Sequence, residues 1–239
     1  MTSGQPSSGA IISGTADDTD APARSRIPAL ILIVALAAGG LMGIHRITNT
    51  SIGWHLSSGR WILEHREFVR ADPFSLTSGG TPWLDHEWLF QVAAALADEL
   101  GGAPALVVLR ALIVAALAAL LLMIGHRSGL SPPASLLLSL LCVAAARPRF
   151  FVRPELVTLL VVPACVWLYV TRRDRSVGAW AGGLAALMVV GANAHGGALI
   201  VPFLLGGIFV AETADMLRTR SWDRATVAGG GKVRSPRPR

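Results

Sequence analysis

Charge is what this chain has least of. Asp, Glu, Lys and Arg make up 15% of its 239 residues, against 52% hydrophobic ones. A soluble domain of similar length carries roughly a quarter of its residues charged, so the deficit excludes an ordinary soluble fold. Lysine is almost missing: Lys232 is the only one, and the formal net charge of +6 is carried by arginine. Those arginines lie between apolar runs or near the end of the chain. They do not line one face of a soluble domain, which excludes a nucleic-acid partner. Cysteine is scarce as well, with Cys142 and Cys165 each inside an apolar segment. Two such thiols are expected to be buried and apolar, not a disulfide or a metal pair.

What fills the gap is apolar sequence of membrane-spanning length. Residues 1–26 are rich in Ser, Gly, Thr, Asp and Pro without apolar periodicity, so they read as a disordered cytoplasmic tail with no signal peptide before it. Apolar runs follow at 27–44, 103–124, 134–146, 156–170, 177–192 and 198–214. The expected architecture is all-α: a polytopic membrane domain over 27–214 with about six transmembrane helices. The run at 134–146 is short, as for a tilted or broken helix. A large first external loop, 46–102, contains interfacial helices, and a basic, disordered cytoplasmic tail occupies 215–239. Basic residues in alternate connections give the orientation. With a cytoplasmic N-terminus, thirteen fall inside and seven outside, which follows the positive-inside bias. Arg110 stands apart near the outer end of its run, where it either snorkels outward or faces an internal substrate cavity. The Arg, Ala, Gly and Leu bias is that of a GC-rich bacterial gene, so the location expected is the bacterial inner membrane, among membrane lipids.

The loop 46–102 holds most of the ionisable and aromatic groups. Ile52, Leu56 and Leu63 lie near one helical face beside Trp54 and Trp61, the pattern of an amphipathic helix in the membrane interface. Asp72-Pro73 and Gly79-Gly80 mark turns. Asp85 is placed to cap a second helix, from His86 to a stop at Gly101-Gly102.

Asp85, His86 and Glu87 are consecutive, and His55 lies in the same loop. Residues adjacent on a helix point about 100° apart, so at most two act together. A carboxylate here suits a general base for an acceptor hydroxyl, with a histidine or a divalent cation assisting. The structural alternative makes Asp85 a cap, Glu87 a partner of the helix dipole and His86 an interfacial side chain. Arg147, Arg149 and Arg153 cluster in RPRFFVRPE. Guanidinium groups match phosphate bidentately, so the cluster is a candidate lipid-phosphate site, or else a contact with bulk headgroups. Asn193 and His195, in NAHGG, form either a polar lip over a substrate cavity or a tight small-residue turn.

In order along the chain, GWHLSSGRWILEH (53–65), ADPFSLT (71–77), PWLDHEWL (82–89), Leu-Gly-Gly (100–102) with Leu109-Arg110-Ala111-Leu112, RPEL (153–156) after Arg149, and NAHGG (193–197) resemble the bacterial multi-spanning GT-C-type glycosyltransferases. These are the group related to dolichyl-phosphate-mannose protein mannosyltransferases. The resemblance runs from about Thr48 to Gly206. It implies an external active site fed by a polyprenyl-phosphate sugar donor in the outer leaflet, inversion at the sugar carbon, and a carboxylate base in the first external loop. The sequence departs from the family at Asn49 and Ser51, where acids usually precede the Trp-His element. Transfer would then need Asp85, Glu87 or Asp72 as the base. The family continues with further spans, so the chain is expected to correspond to an N-terminal portion: a glycosyltransferase, its truncated remnant, or a non-catalytic lipid-phosphate-binding or assembly subunit.

Overall fold

A computed structural model describes residues 26–228, with side chains described as far as Arg218. The tail expected over 1–26 lies outside the described residues except for Arg26, as does the chain from 229 onward. The described residues are helical, without a strand; Ala71 and Pro82 form one isolated antiparallel bridge. The elements are α1 (Ala29–Gly43), α2 (Ile52–His65), α3 (Trp88–Arg127), α4 (Pro132–Ala146), α5 (Glu155–Val170), α6 (Val177–Ala194) and α7 (Ile200–Ala228), with short 3-10 turns at Arg147–Arg149, Arg172–Asp174 and Gly196–Leu199.

Prolines and glycines set most of the boundaries. Pro28 precedes α1, and Pro132-Pro133 open α4, where the missing N–H costs nothing. Pro148 stops α4 within its 3-10 turn. The Ser176 hydroxyl caps α6 by accepting the Ala179 N–H at 3.2 Å. Within α3 the backbone leaves helical geometry at Gly101 and at Gly102, the latter with φ 62°, and Pro104 lies in the first turn beyond. The helix therefore consists of a front segment, 88–100, and a long apolar segment, 103–127. The stop expected at this glycine pair is present as a break.

Trp88–Arg127, Val177–Ala194 and Gly196–Arg218 are long and apolar enough to cross a membrane, whereas Ala29–Gly43 and Glu155–Val170 are shorter apolar helices. The molecule is thus membrane-associated. Helix α1 is shorter than its apolar run because Pro28 and Gly43 bound it, and α7 continues to Ala228, so the expected tail boundary at 215 falls inside a helix.

Helix α3 is central. Ala35, Gly39 and Gly43 are buried on one face of α1. A Cβ on Gly39 would stand 2.6 Å from the Ala118 Cβ, and one on Gly43 would stand 2.8 Å from the Ala111 Cα. Backbones this close gain the van der Waals contact that drives helix association in lipid. One core joins Val114, Leu117 and Ala118 of α3 to Val143, Phe150 and Leu156. A second joins Phe90, Ala94 and Leu106 to Val152 and Ala194. Cys165 is buried in a third, with Val161, Ala198 and Val201, but Cys142 is exposed on α4, contrary to expectation.

Polar contacts define the two ends. At one, Arg127 pairs with Asp174 at 2.5 Å, and Arg172 pairs with Glu212 at 2.5 Å while stacking on Tyr169. At the other end Arg110, only 1% exposed, donates from Nε to the Gly43 carbonyl at 2.7 Å, from Nη1 to Phe150 O at 3.4 Å, and from Nη2 to His45 O. This clasp gathers the end of α1 and the α4–α5 connection under the 46–102 loop. Arg110 does not snorkel: its head is buried, with three of its donors on backbone carbonyls.

Candidate functional site

Helix α2 seats the site. Its buried residues are His55, Ser58 and Gly59, a face distinct from the Ile52, Leu56 and Leu63 set expected to meet the membrane interface. Ile52 and Leu56 pack only partly, at the margin of the second core. Gly59 explains the choice: a Cβ there would lie 2.1 Å from the Gln91 carbonyl oxygen, so α2 and the front of α3 approach backbone to backbone. Gly59→Ala is expected to cost ~1–3 kcal/mol or more, because the obstacle is main chain and cannot turn aside. Thermal unfolding in detergent would detect it; an unchanged midpoint would mean that the two helices are not in contact.

That close approach places His55 beside Glu87, the residue capping α3. His55 Nδ1 lies 3.9 Å from Glu87 Oε2, while Glu87 Oε1 lies 3.7 Å from His86 Nε2 and 3.9 Å from His195 Nε2. Three histidines from three separate segments therefore surround one carboxylate. These distances exceed hydrogen-bonding reach. Among the described residues neither Glu87 oxygen receives a hydrogen bond, so both keep lone pairs for a proton. Burial raises the Glu87 carboxyl above the ordinary range, with Asp85 and Glu155 adding to the rise and His86 and His195 opposing it.

The neighbouring acids have structural partners. Asp85 Oδ1 accepts from Gln91 Nε2 at 2.9 Å and from the Glu87 N–H at 3.3 Å, so it organises the entry to α3, whose first residue is Trp88 and not His86. Burial raises its carboxyl too. Asp72 Oδ1 accepts the Phe74 and Ser75 amides at 2.8 and 3.1 Å, and bonds from Ser75 and Phe74 hold its carboxyl below the usual value. It closes a turn.

His55 is 3% exposed, in ring contact with Trp54 and Phe90. Burial and then the Arg153 charge lower its pKa from 6.5 to about 4, so it is neutral at pH 7. Below its unfolded pKa the unfolded chain binds a proton that the folded one refuses. Stability from this group is thus full above pH 6.5 and falls as the pH drops toward 4, by roughly 3 kcal/mol for a shift of this size. The raised carboxyls of Glu87 and Asp85 act with the opposite sign. Comparing unfolding of the unmodified chain with His55→Gln at pH 7 and pH 4.5 isolates the histidine. The variant should lose less on acidification; equal losses would refute the assignment.

Around this centre the remaining candidates separate. Asn193 Oδ1 accepts the Trp88 indole N–H at 2.8 Å and ties α6 to the start of α3. Arg153 Nε donates to Ser51 Oγ at 2.8 Å, and Asn49 Nδ2 to Val152 O at 3.2 Å, so Asn49 and Ser51 fasten the loop to the α4–α5 connection. Arg147 lines a cleft of about 550 Å³ together with His45, Thr48, Phe150 and Phe151, whereas Arg149 is exposed outside it. A 3-10 turn and a run of bends separate them, and Arg147 lines the cleft while Arg153 bonds to Ser51.

One contributor, Thr158, carries no signal in the sequence. Thr158, on the first turns of α5, places Oγ1 2.8 Å from His195 Nδ1, and the Gly197 N–H donates to the same nitrogen at 3.2 Å. Gly197 of NAHGG signalled the close contact, since a side chain there would strike the His195 ring. A divalent cation was one helper expected for the carboxylate. Among the described residues no group of three or more His, Cys, Asp and Glu is arranged to hold a metal ion. Comparison with family models, with curated proteins and with solved structures finds no match to this chain.

Proposed function

We propose that this chain is the membrane domain of an inverting glycosyltransferase that moves a sugar from a polyprenyl phosphate to a hydroxyl acceptor, with Glu87 as the general base. One observation carries the reading: a half-buried carboxylate with free lone pairs, surrounded by His55, His86 and His195. In the reaction the acceptor oxygen attacks the sugar carbon and its proton passes to a Glu87 oxygen. The carbon–oxygen bond to phosphate breaks, and the polyprenyl phosphate leaves with the electron pair. A carboxyl raised by burial suits a base better than one at its ordinary value, because its proton affinity lies nearer the working pH.

The proposed setting is a multi-pass protein of the cell membrane, with six crossings and the N-terminus in the cytoplasm. Three helices of spanning length, two shorter apolar ones and the basic-residue bias support it. The loop 46–102 then faces outward, and the cleft with Arg147 opens beside it for the lipid phosphate. Arg147→Ala is expected to weaken binding of a polyprenyl phosphate in nanodiscs by roughly 1.5–3 kcal/mol, with Lys restoring only part. Arg149→Ala should do less. Equal, negligible effects in both would reduce the cleft to a headgroup contact.

A binding or assembly subunit is the second reading, favoured by Asn49 and Ser51 in place of acids. The deciding experiment incubates the purified chain with a radiolabelled polyprenyl-phosphate sugar and a hydroxyl acceptor. Transfer that depends on Glu87 supports the enzyme; donor binding without transfer supports the subunit.

A further inference from the structure

The Gly197 amide can only donate, so His195 Nδ1, 3.2 Å away, must accept. The Thr158 hydroxyl, 2.8 Å from the same nitrogen, then donates as well. In a neutral imidazole the one ring proton is left on Nε2, the atom that faces Glu87 Oε1. The backbone is shaped for this contact: a Cβ on Gly197 would fall 2.6 Å from His195 Nδ1 and 3.1 Å from Thr158 Oγ1. Both donors therefore converge on one acceptor in space that only glycine leaves open.

We infer that Thr158 is a positioning residue which, with the Gly197 amide, locks His195 as the Nε2–H tautomer and points that N–H toward Glu87 Oε1, 3.9 Å away, making the cluster a carboxylate–imidazole set and not a cation site. A metal-binding histidine presents a lone pair to the ion and donates from its other nitrogen to a carboxylate, carbonyl or water. His195 has the reverse arrangement. Coordination through Nε2 would require a proton on Nδ1, directly against the Gly197 N–H. The lock also keeps the imidazole from competing with Glu87 for the acceptor's proton, because its Nε2 is already protonated. The assignment of a role in turnover rests on Glu87 being the base; the tautomer itself does not.

The test reads the ring nitrogens directly. The full chain in nanodiscs, labelled with nitrogen-15 histidine and assigned with His195→Gln, is examined by long-range proton–nitrogen correlation at neutral pH. The expected spectrum places the proton of His195 on Nε2. Thr158→Val should shift the His195 signals toward a mixture of tautomers, Thr158→Ser should restore the unmodified pattern, and added zinc should leave them in place. A proton on Nδ1, a zinc-dependent change at His195, or a Thr158→Val spectrum identical to the unmodified one would overturn the inference. The spectrum needs no turnover, so failure of sugar transfer and failure of the tautomer lock are separately visible.

Discussion

Arg110→Met should lower stability by about 3–6 kcal/mol, because three backbone carbonyls lose their donor inside the bundle at once, each worth ~1–3 kcal/mol when buried and unsatisfied. The partners are the carbonyls of Gly43, His45 and Phe150. Gly43 ends α1, and the last carbonyls of a helix have no partner within it, so Arg110 acts as a C-terminal cap supplied by another helix. Its positive charge also meets the negative end of the α1 dipole. Met matches the length and apolar stem but offers no N–H. Lys keeps the charge while losing the planar fork that reaches three directions, so it should fall between. Thermal or denaturant unfolding in detergent gives the comparison. A Met variant as stable as the unmodified chain would show that water or the remaining loop satisfies those carbonyls.

Glu87→Gln should reduce sugar transfer by ~10²-fold or more while donor affinity stays as it was. Gln keeps the shape and accepts hydrogen bonds but cannot take the acceptor's proton. Asp85→Asn is the control. Asp85 organises the turn before α3 through Gln91 and the Glu87 amide, and Asn still presents an oxygen to both. Its effect should be a modest loss of stability with transfer largely kept. If the two variants lose transfer equally, the base is not Glu87 alone; if Glu87→Gln transfers like the unmodified chain, the base lies elsewhere.

The helices were legible because apolar runs, Pro132-Pro133, Pro148 and the Gly101-Gly102 pair are local signals. The site was legible only in part. Asp85, His86, Glu87 and His55 stand close in sequence, but nothing local announces that His195 joins them from beyond α6 or that Thr158 fixes its ring. Arg110 misled for a physical reason: a charge in an apolar run reads as functional, since lipid makes it costly, yet here three backbone carbonyls engage it. In α2 hydropathy pointed to Ile52, Leu56 and Leu63 as a face for the membrane interface and was silent on the face that packs on α3. That face is set by close backbone approach at Gly59, because contact with Gln91 needs a small residue more than an apolar one. The arginines of RPRFFVRPE were read as one patch, and only the backbone path shows that Arg147 and Arg153 serve different neighbours.

The break at Gly101 and Gly102 has a consequence for rotational phase. In an uninterrupted helix each added or deleted residue turns everything beyond it by about 100°. Were α3 continuous, any change of length in its apolar part would swing Glu87 away from the histidines. With Gly102 at φ 62°, the front segment takes its facing from α2 and the rear segment takes its own from α1 and α4. The facing of the apolar half and the aim of the carboxylate are thus set largely by different helices, so a change of length beyond the break does not by itself turn Glu87 away from the histidines.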